Sequence, residues 1–530
     1  MVDVWIRGGD VIDGTGAPKA QRDVLLNDGK IVALGMWEHV EARTVIDASG
    51  KLVTPGFIDA HRHADAAAFS EGFGECELSQ GLTSIINGNC GVSVVPLGGA
   101  YREETARYLA PITGVIEERI PTDSLSAYHA ALKQHGMPIH MGMLAGGGTV
   151  RASSVGFSKT RLGLREEGLV QKGLERMLSE GALGVSLGLG YAPECFYDTE
   201  GLIRALAPIR NTNTVLSVHM RSAEVKLMES LNEMLFVAKS LRVPLQISHL
   251  KATGKRNWNR LIHEALKRLE QAREEGIDVL CDVYPYTAGS TQMLQILPPD
   301  LLVGGVDAIT ERLFDPKVVK SLQKRFVSDE SYDNYPMLVG WENILVSSVT
   351  RAEHHSYVGK SIAELCGDRE PGAFACELLA KERCAVSMID FLTHEDDVAA
   401  IFSHPLSYGI SDATYPTTGE PHPRVYGSFV RFLTRFVRER GTLSVEEAVH
   451  KLTEVPAKRY RLKDKGVLKA GADGDVLVFD FSKLESPATY EAPRQCCRGM
   501  DVVLVNGAVA WQNGSKSKEN HGSILEQSRG

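Results

Sequence analysis

The sequence has no apolar stretch long enough to cross a bilayer, so a helical membrane protein is not expected. It has no surplus of positive charge either. Its 58 Lys and Arg against 67 Asp and Glu give a net charge of −9, and a broad nucleic-acid footprint is excluded. The opening Met1-Val-Asp-Val-Trp-Ile-Arg-Gly-Gly lacks a basic lead, an apolar core and a cleavage site, and no signal peptide is expected. Cysteine is sparse: nine in 530 residues, odd in number and scattered, which favours reduced thiols and a cytoplasmic setting over a disulfide framework. Cys496 and Cys497 are adjacent and form no C-x-x-C knuckle. Gly146-Gly-Gly148 lacks the Lys-Ser/Thr of a phosphate-binding loop. There is no internal repeat and no low-complexity block.

What is present is alternation. Residues 1–54 read as short strands with tight turns, among them Asn27-Asp28-Gly29, which has hairpin chemistry. Residues 465–511 have the same character, and the two stretches are expected to pair into one small β-sandwich domain. Residues 512–530 form a polar C-terminal tail, frayed after Gly514. Between them, eight short apolar runs recur at 52–59, 84–87, 139–144, 182–187, 215–219, 245–249, 279–284 and 407–412, with helical patterns between. One helix is expected over 123–136. Another is expected over 257–276, with Leu261, Ile262, Ala265, Leu266 and Leu269 on its apolar face. Eight strand–helix units predict an α/β fold, a (β/α)8 TIM-like barrel over 55–464. The long gap at about 290–405 is read as an insertion covering the barrel mouth.

Groups with ligand chemistry fall at the C-terminal ends of these runs, where such a barrel collects its active site. The first run ends in His61-Arg62-His63; residues two apart on a strand face the same way, so both imidazoles point together. The second leads into Gly88-Asn-Cys90-Gly91. The fifth ends in His219, the sixth in His249 and the eighth in Asp412. Four histidines, a cysteine and an aspartate converging on one rim predict a metal site. His354-His355 reads as a surface pair, and His422 as a residue near the pocket.

The chain resembles the amidohydrolase superfamily, and within it the D-aminoacylase (N-acyl-D-amino-acid deacylase) family. The resemblance rests on Gly8-Gly-Asp-Val-Ile-Asp-Gly-Thr-Gly16, Pro55-Gly-Phe-Ile-Asp-Ala-His-Arg-His63, Gln80-Gly-Leu-Thr83 with Gly88-Asn-Cys-Gly-Val-Ser93, and His219-Met-Arg-Ser222. It continues in Ser248-His-Leu-Lys251, Tyr284-Pro-Tyr-Thr-Ala-Gly-Ser-Thr291, Pro421-His-Pro-Arg-Val-Tyr-Gly427 and Val505-Asn-Gly507. It implies that Cys90, His219 and His249 hold one tightly bound zinc ion. His61 and His63 would supply a second position, with Asp412 near both. The fourth run, 182–187, contains no lysine to carry the bridging carboxylate of many relatives, and the Cys90 thiolate can serve as the anionic ligand.

The resemblance implies zinc-dependent hydrolysis of N-acyl-D-amino acids to a carboxylic acid and a free D-amino acid. Zinc acidifies water and polarises the amide; Asp412 takes the water proton and passes it to the departing amine. Lys251 shares a face with His249, and Tyr284, Ser290 and Arg424 match family positions that bind the substrate carboxylate, with Tyr191 a further candidate. The stretch 292–297 offers no cation, which points to a neutral or apolar D-amino acid. Two departures stand out. Gly147 replaces a histidine common in the family, and Arg62 a threonine. The alternatives are another C–N hydrolase of the superfamily (a D-stereospecific dipeptidase, an N-substituted formamide deformylase or a cyclic amidase) or a non-catalytic barrel. The expected partner is a small molecule, with no nucleic acid or membrane, and the oligomeric state stays open.

Overall fold

The computed structural model describes residues 1–224, 226–416 and 418–528. All eight apolar runs contain strands, and their pairings with one another are parallel. Phe57–Asp59, Leu82–Asn87 and His140–Met143 form a three-stranded sheet. Ala145–Gly146, Gly184–Gly188, Val215–His219, Leu245–Ile247, Val279–Val283 and Ser407–Gly409 form a six-stranded one. Parallel neighbours need crossovers, and helices such as Leu164–Ser179, Leu227–Leu241 and Leu261–Glu274 supply them. The strands are buried on both faces, which is why they read as apolar runs without alternation. The two sheets meet at Leu144, whose N–H donates to Asn87 O at 2.9 Å. They meet again at a parallel bridge between Arg62 and Ala413, where Asp412 N donates to His61 O and His63 N to Ala413 O, both at 2.9 Å. The fold is of the α/β class.

The first run is not one strand. Leu52–Pro55 pairs parallel with Asp10–Val11 and antiparallel with Val476–Phe479, while Phe57–Asp59 pairs with the strand beginning at Leu82. The break at Pro55-Gly56 hands the chain from one sheet to the other. A Cβ on Gly56 would lie 2.1 Å from Thr83 Oγ1, so only glycine permits that approach.

The first of these sheets has nine strands, drawn from residues 2–55 and 476–516 and joined where Leu52–Pro55 meets Val476–Phe479. The expected hairpin is there, with Asn27 paired to Lys30 and positive φ at Asp28 (49°) and Gly29 (76°). The sheet has its own apolar cluster, including Val4, Ile6, Leu26, Ile31, Val476 and Leu504.

Three expectations need correction. The chain after Gly514 is not frayed as far as it is described: Ile524 bridges Met141, and Leu525 is buried above Gly142. The tail's few apolar residues extend the pairing of His140–Met143, which the polar composition around them concealed. The helix expected from 257 begins at Leu261, because Asn259 has a positive φ of 55° and Arg260 a φ of −130°, neither of them helical. His354 is no surface residue: it is buried and its Nδ1 contacts Glu382.

The segment between the seventh and eighth runs contains an antiparallel sheet of Ala288–Gln292, Ser387–Phe391 and Ile344–Ser348. Helices Gly305–Leu313, Pro316–Ser328 and Pro371–Lys381 pack with it around a second apolar cluster that includes Ile309, Phe326, Val346, Phe374 and Met388. Among the described residues no helix is long and apolar enough to cross a membrane.

Candidate metal centre

All six residues singled out at the strand ends meet in space. His61 Nε2 lies 3.2 Å from Cys90 Sγ, and Cys90 Sγ 3.3 Å from His249 Nε2. Asp412 Oδ1 is 3.3 Å from His61 Nε2 and 3.4 Å from His63 Nε2. His219 Nδ1 is 3.0 Å from His249 Nε2. One ligand atom each from His61, Cys90, His249 and Asp412 lie within 4.8 Å of one another. The grouping is thus centred on Cys90, with His219 and His63 on its flanks.

The backbone holds these side chains under strain. Cys90, His249 and Asp412 have φ of 54°, 37° and 52°, in the left-handed region that residues with a Cβ seldom occupy. Each such residue costs about 1–3 kcal/mol and persists where surrounding bonds enforce it. For His249 the enforcing group is Asp282. Its Oδ1 accepts the His249 N–H at 2.5 Å and its Oδ2 accepts from Gln246 Nε2 at 2.7 Å. Burial pushes the Asp282 carboxyl up to about 6.

The electrostatics are those of a site made for a cation. Burial would push the Cys90 thiol up, but His61 and His249 hold it well below its ordinary value. Burial would raise Asp412 too, and Arg424, His61 and His63 hold it well below the carboxylate range. Burial opposes charge on His61, yet Cys90 and Asp412 lift it well above the usual imidazole value. Against the same burial, hydrogen bonds to Asp412 and Cys90 lift His63 to about 8. Burial and Lys251 push His249 down to about 3. Two anions therefore draw protons onto neighbouring imidazoles, and a divalent ion can satisfy the same anions while releasing those protons. The separations of 3.2–3.4 Å around Cys90 and Asp412 come close to what zinc needs, and the 3.0 Å between His219 and His249 is tighter. Zinc bonds of about 2.0–2.3 Å put neighbouring corners of a tetrahedron roughly 3.3–3.7 Å apart. Buried polar atoms without a partner among the described residues also gather here: His61 Nδ1, His63 Nδ1, both oxygens of Asp390, and Arg424 Nε.

The five residues expected to touch substrate line one small cavity of about 30 Å³ with the cluster. Lys251 Nζ is 2.9 Å from His249 Nδ1. The Tyr284 ring lies 5.9 Å from Lys251 Nζ and 5.0 Å from Arg424 Cζ, centroid to atom. Arg424 Nη2 donates to Ser290 O at 2.9 Å, and its Nη1 is 2.9 Å from Asp412 Oδ2. Tyr191 Oη is 3.0 Å from Thr291 Oγ1. His422 does not line this cavity. Its Nε2 faces Ala288 O at 3.0 Å and its Nδ1 accepts from Arg424 N at 2.9 Å, so it orients the arginine from behind. His219, Tyr335 and their neighbours separate the cluster from a second cavity of about 380 Å³.

Sequence reasoning missed four groups. Arg62, noticed only as a departure, is fully buried between the two histidines. It bonds Glu77 at 2.8 Å, Asp59 at 3.1 Å and Tyr415 Oη at 2.7 Å. Asp282 interrupts the otherwise apolar 279–284, and a charge in a buried strand was the signal available. Asp390 lies in the long insertion, where no pattern pointed inward. Glu194 explains the missing histidine. A Cβ on Gly147 would lie 2.6 Å from Glu194 Oε1, and Glu194 Oε2 accepts the Gly188 N–H at 2.6 Å. Burial pushes Glu194 up to about 8.

Comparison with known proteins agrees with this picture along nearly the whole chain. The model described as "Amidohydrolase family" matches residues 44–282 and 378–510, and the break between them largely overlaps the long insertion. The N-acyl-D-glutamate deacylase of Alcaligenes xylosoxydans xylosoxydans is 30% identical over 531 residues, covering 99% of this chain and 97% of its own. The D-aminoacylase of the same organism is 30% identical over 539 residues, again 99% and 97%. The crystal structure of N-acyl-D-glutamate deacylase from Bordetella bronchiseptica contains zinc and a phosphonate inhibitor that mimics the tetrahedral intermediate of the reaction. It aligns with a TM-score of 0.83 at 29% identity over 99% of each chain.

Proposed function

This chain belongs to the amidohydrolase family, in its D-aminoacylase (N-acyl-D-amino-acid deacylase) group, and from that premise we propose that it hydrolyses the amide bond of N-acyl-D-amino acids with zinc. The observation that carries the reading is the buried meeting of Cys90 with His61, His249 and Asp412. Cys90 and His249 from this group, with His219 beside His249, would hold one zinc ion, and His61 with the adjoining His63 would offer a second position. Bound zinc supplies Lewis acidity, polarising a carbonyl and acidifying water.

The chain's own groups do the rest. Asp412 is held ionised by Arg424 and the histidines beside it, as a base must be, and it takes the water proton and delivers it to the departing amine nitrogen. Lys251, Tyr284, Ser290 and Arg424, with Tyr191 alongside, hold the α-carboxylate; the cations make charge-assisted bonds and the hydroxyls complete the cradle. The small cavity around the cluster leaves little room for bulk water beside the reacting bond.

The same reading takes 55–464 as a (β/α)8 barrel with an insertion at about 290–405 and 1–54 with 465–511 as a small β-sandwich domain. The polar tail runs from 512 to 530. The parallel pairings and the Arg62–Ala413 bridge support it. The enzyme works in the cytoplasm; its nine cysteines are all free. The test is metal analysis of the purified chain together with amine release from paired D and L N-acetyl amino acids, before and after chelation. We expect at least one zinc per chain, turnover of D isomers alone, and loss of activity on chelation that zinc restores. Fully zinc-loaded protein that releases amine from no D isomer refutes the reading.

A further inference from the structure

We infer that Asp390 reads the side chain of the substrate, and that the preferred substrates are N-acyl-D-amino acids whose side chain ends in a cation, an ammonium or guanidinium. The inference rests on the deacylase reading above and adds the side-chain class to it.

Asp390 lies on the strand Ser387–Phe391 of the insertion and is 1% exposed. It lines the cavity shared by the metal cluster, Lys251, Tyr284 and Arg424. Neither of its carboxylate oxygens has a hydrogen-bond partner among the described residues. Buried carboxylates are almost always paired, because leaving one unpaired forfeits its hydration without return. The two cations in the same cavity, Lys251 and Arg424, lie near enough to favour the charge on Asp390, yet neither bonds to it. Lys251 Nζ reaches His249 Nδ1 at 2.9 Å, and Arg424 spans Ser290 O and Asp412, each at 2.9 Å. Both acceptor oxygens of Asp390 are therefore free for a ligand.

The space in front of the carboxylate is kept open by its strand neighbour. Gly289 is paired directly with Asp390. A Cβ on Gly289 would lie 2.8 Å from Leu392 Cδ1, 3.1 Å from Asp390 Oδ1 and 3.5 Å from Tyr284 Oη, so a side chain there would press on the carboxylate. The Gly289 backbone has no positive φ, so the main-chain conformation does not demand glycine there; what the absent side chain leaves is room between Asp390 and Tyr284. A substrate whose α-carboxylate sits on Lys251 and Arg424 has its side chain branching one carbon away, beside Asp390, and the cavity of about 30 Å³ must widen to take it. A cation there pairs with Asp390. An acidic side chain meets a like charge in a buried site, which disfavours it. The sequence alone, which pointed to a neutral or apolar side chain, took no account of a carboxylate 98 residues beyond Gln292.

The test uses the full zinc-loaded chain. kcat/KM is measured for the N-acetyl derivatives of D-arginine, D-lysine, D-methionine and D-glutamate, in the wild type and in Asp390→Asn. A pocket built to pair a substrate group discriminates strongly against analogues lacking it. We expect D-arginine or D-lysine to exceed D-methionine by at least roughly 10-fold, with D-glutamate lowest. In Asp390→Asn the arginine-to-methionine ratio should fall by about 10- to 100-fold, mostly through KM. A ratio is unaffected by the fraction of variant that folds. Preference for D-methionine or D-glutamate in active enzyme, or an unchanged ratio in Asp390→Asn, overturns the inference. Calorimetric binding of N-acetyl-D-arginine separates it from the deacylase reading. Binding that is present in the wild type and weakened in Asp390→Asn supports the role of Asp390 even if no substrate turns over. Absence of binding to the wild type rejects it.

Discussion

Replacing Arg62 by methionine tests whether the floor under the two leading histidines is held by charge. Arg62 is wholly buried and spans Glu77 at 2.8 Å, Asp59 at 3.1 Å, Tyr415 Oη at 2.7 Å, Ser411 Oγ at 3.1 Å and Val425 O at 3.0 Å. Methionine keeps most of the length and removes every bond. Asp59 would still accept from Ser411 N at 3.0 Å. Glu77 would keep Tyr415 Oη at 2.8 Å and Gly74 N at 3.0 Å but lose the Arg62 guanidinium. Removing one partner of a buried pair costs about 3–5 kcal/mol, because the other charge is left uncompensated. In a chain of this size that lowers the thermal midpoint on the order of 3–5 °C.

The pH dependence follows. Burial raises Glu77, and Arg62 overrides it to leave the carboxyl below its ordinary value. In the wild type this stability is present above the unfolded carboxyl value and is lost as pH falls. In Arg62→Met only hydrogen bonds such as those from Tyr415 and Gly74 oppose burial; burial then outweighs them, the folded value rises above the unfolded one, and the ionised form is penalised. The defect is therefore largest at neutral and higher pH and shrinks on acidification. Arg62→Met combined with Glu77→Gln should recover part of the loss, by roughly 1–3 kcal/mol. Scanning calorimetry of the three proteins across pH is the assay. A midpoint for Arg62→Met within about 1 °C of wild type, or a double variant no better than the single, refutes the reasoning.

Two further outcomes are expected. Asp412→Asn should lower kcat by about 10²–10⁴ while metal analysis still finds zinc on Cys90, His219 and His249; an active, zinc-loaded variant removes Asp412 from proton transfer. Ending the chain at Gly522 removes Leu525, which is 4% exposed, and should cost roughly 2–3 kcal/mol for that burial. Its thermal midpoint should fall by about 2–3 °C, and an unchanged midpoint would mean that the docking contributes nothing.

The eight parallel strands were legible because burial on both faces writes an uninterrupted apolar run, and the six ligand candidates because each sits just past the end of one. The split at Pro55-Gly56 was hidden: both halves of 52–59 are buried, so hydropathy cannot tell that they belong to different sheets. The supporting groups were less legible still. Asp282 and Arg62 act on their neighbours' backbone and charge, and no spacing rule marks such a residue. Asp390 and Glu194 reach the centre from segments distant in sequence, and only the folded chain brings them near Cys90. The tail escaped notice because one leucine among polar residues carries no periodicity.

The strand Leu52–Pro55 finds its antiparallel neighbour, Val476–Phe479, about 420 residues further along. At the roughly 5–20 residues per second of ribosomal synthesis, the nascent chain holds that strand's edge uncovered for some tens of seconds. The interval exposes hydrogen-bonding groups and valine and leucine side chains to any other strand nearby. Yield in the cell then depends on how fast the ribosome moves and on what shelters the waiting edge. A transcript cut short anywhere before residue 476 delivers a chain in which that edge of Leu52–Pro55 is never covered.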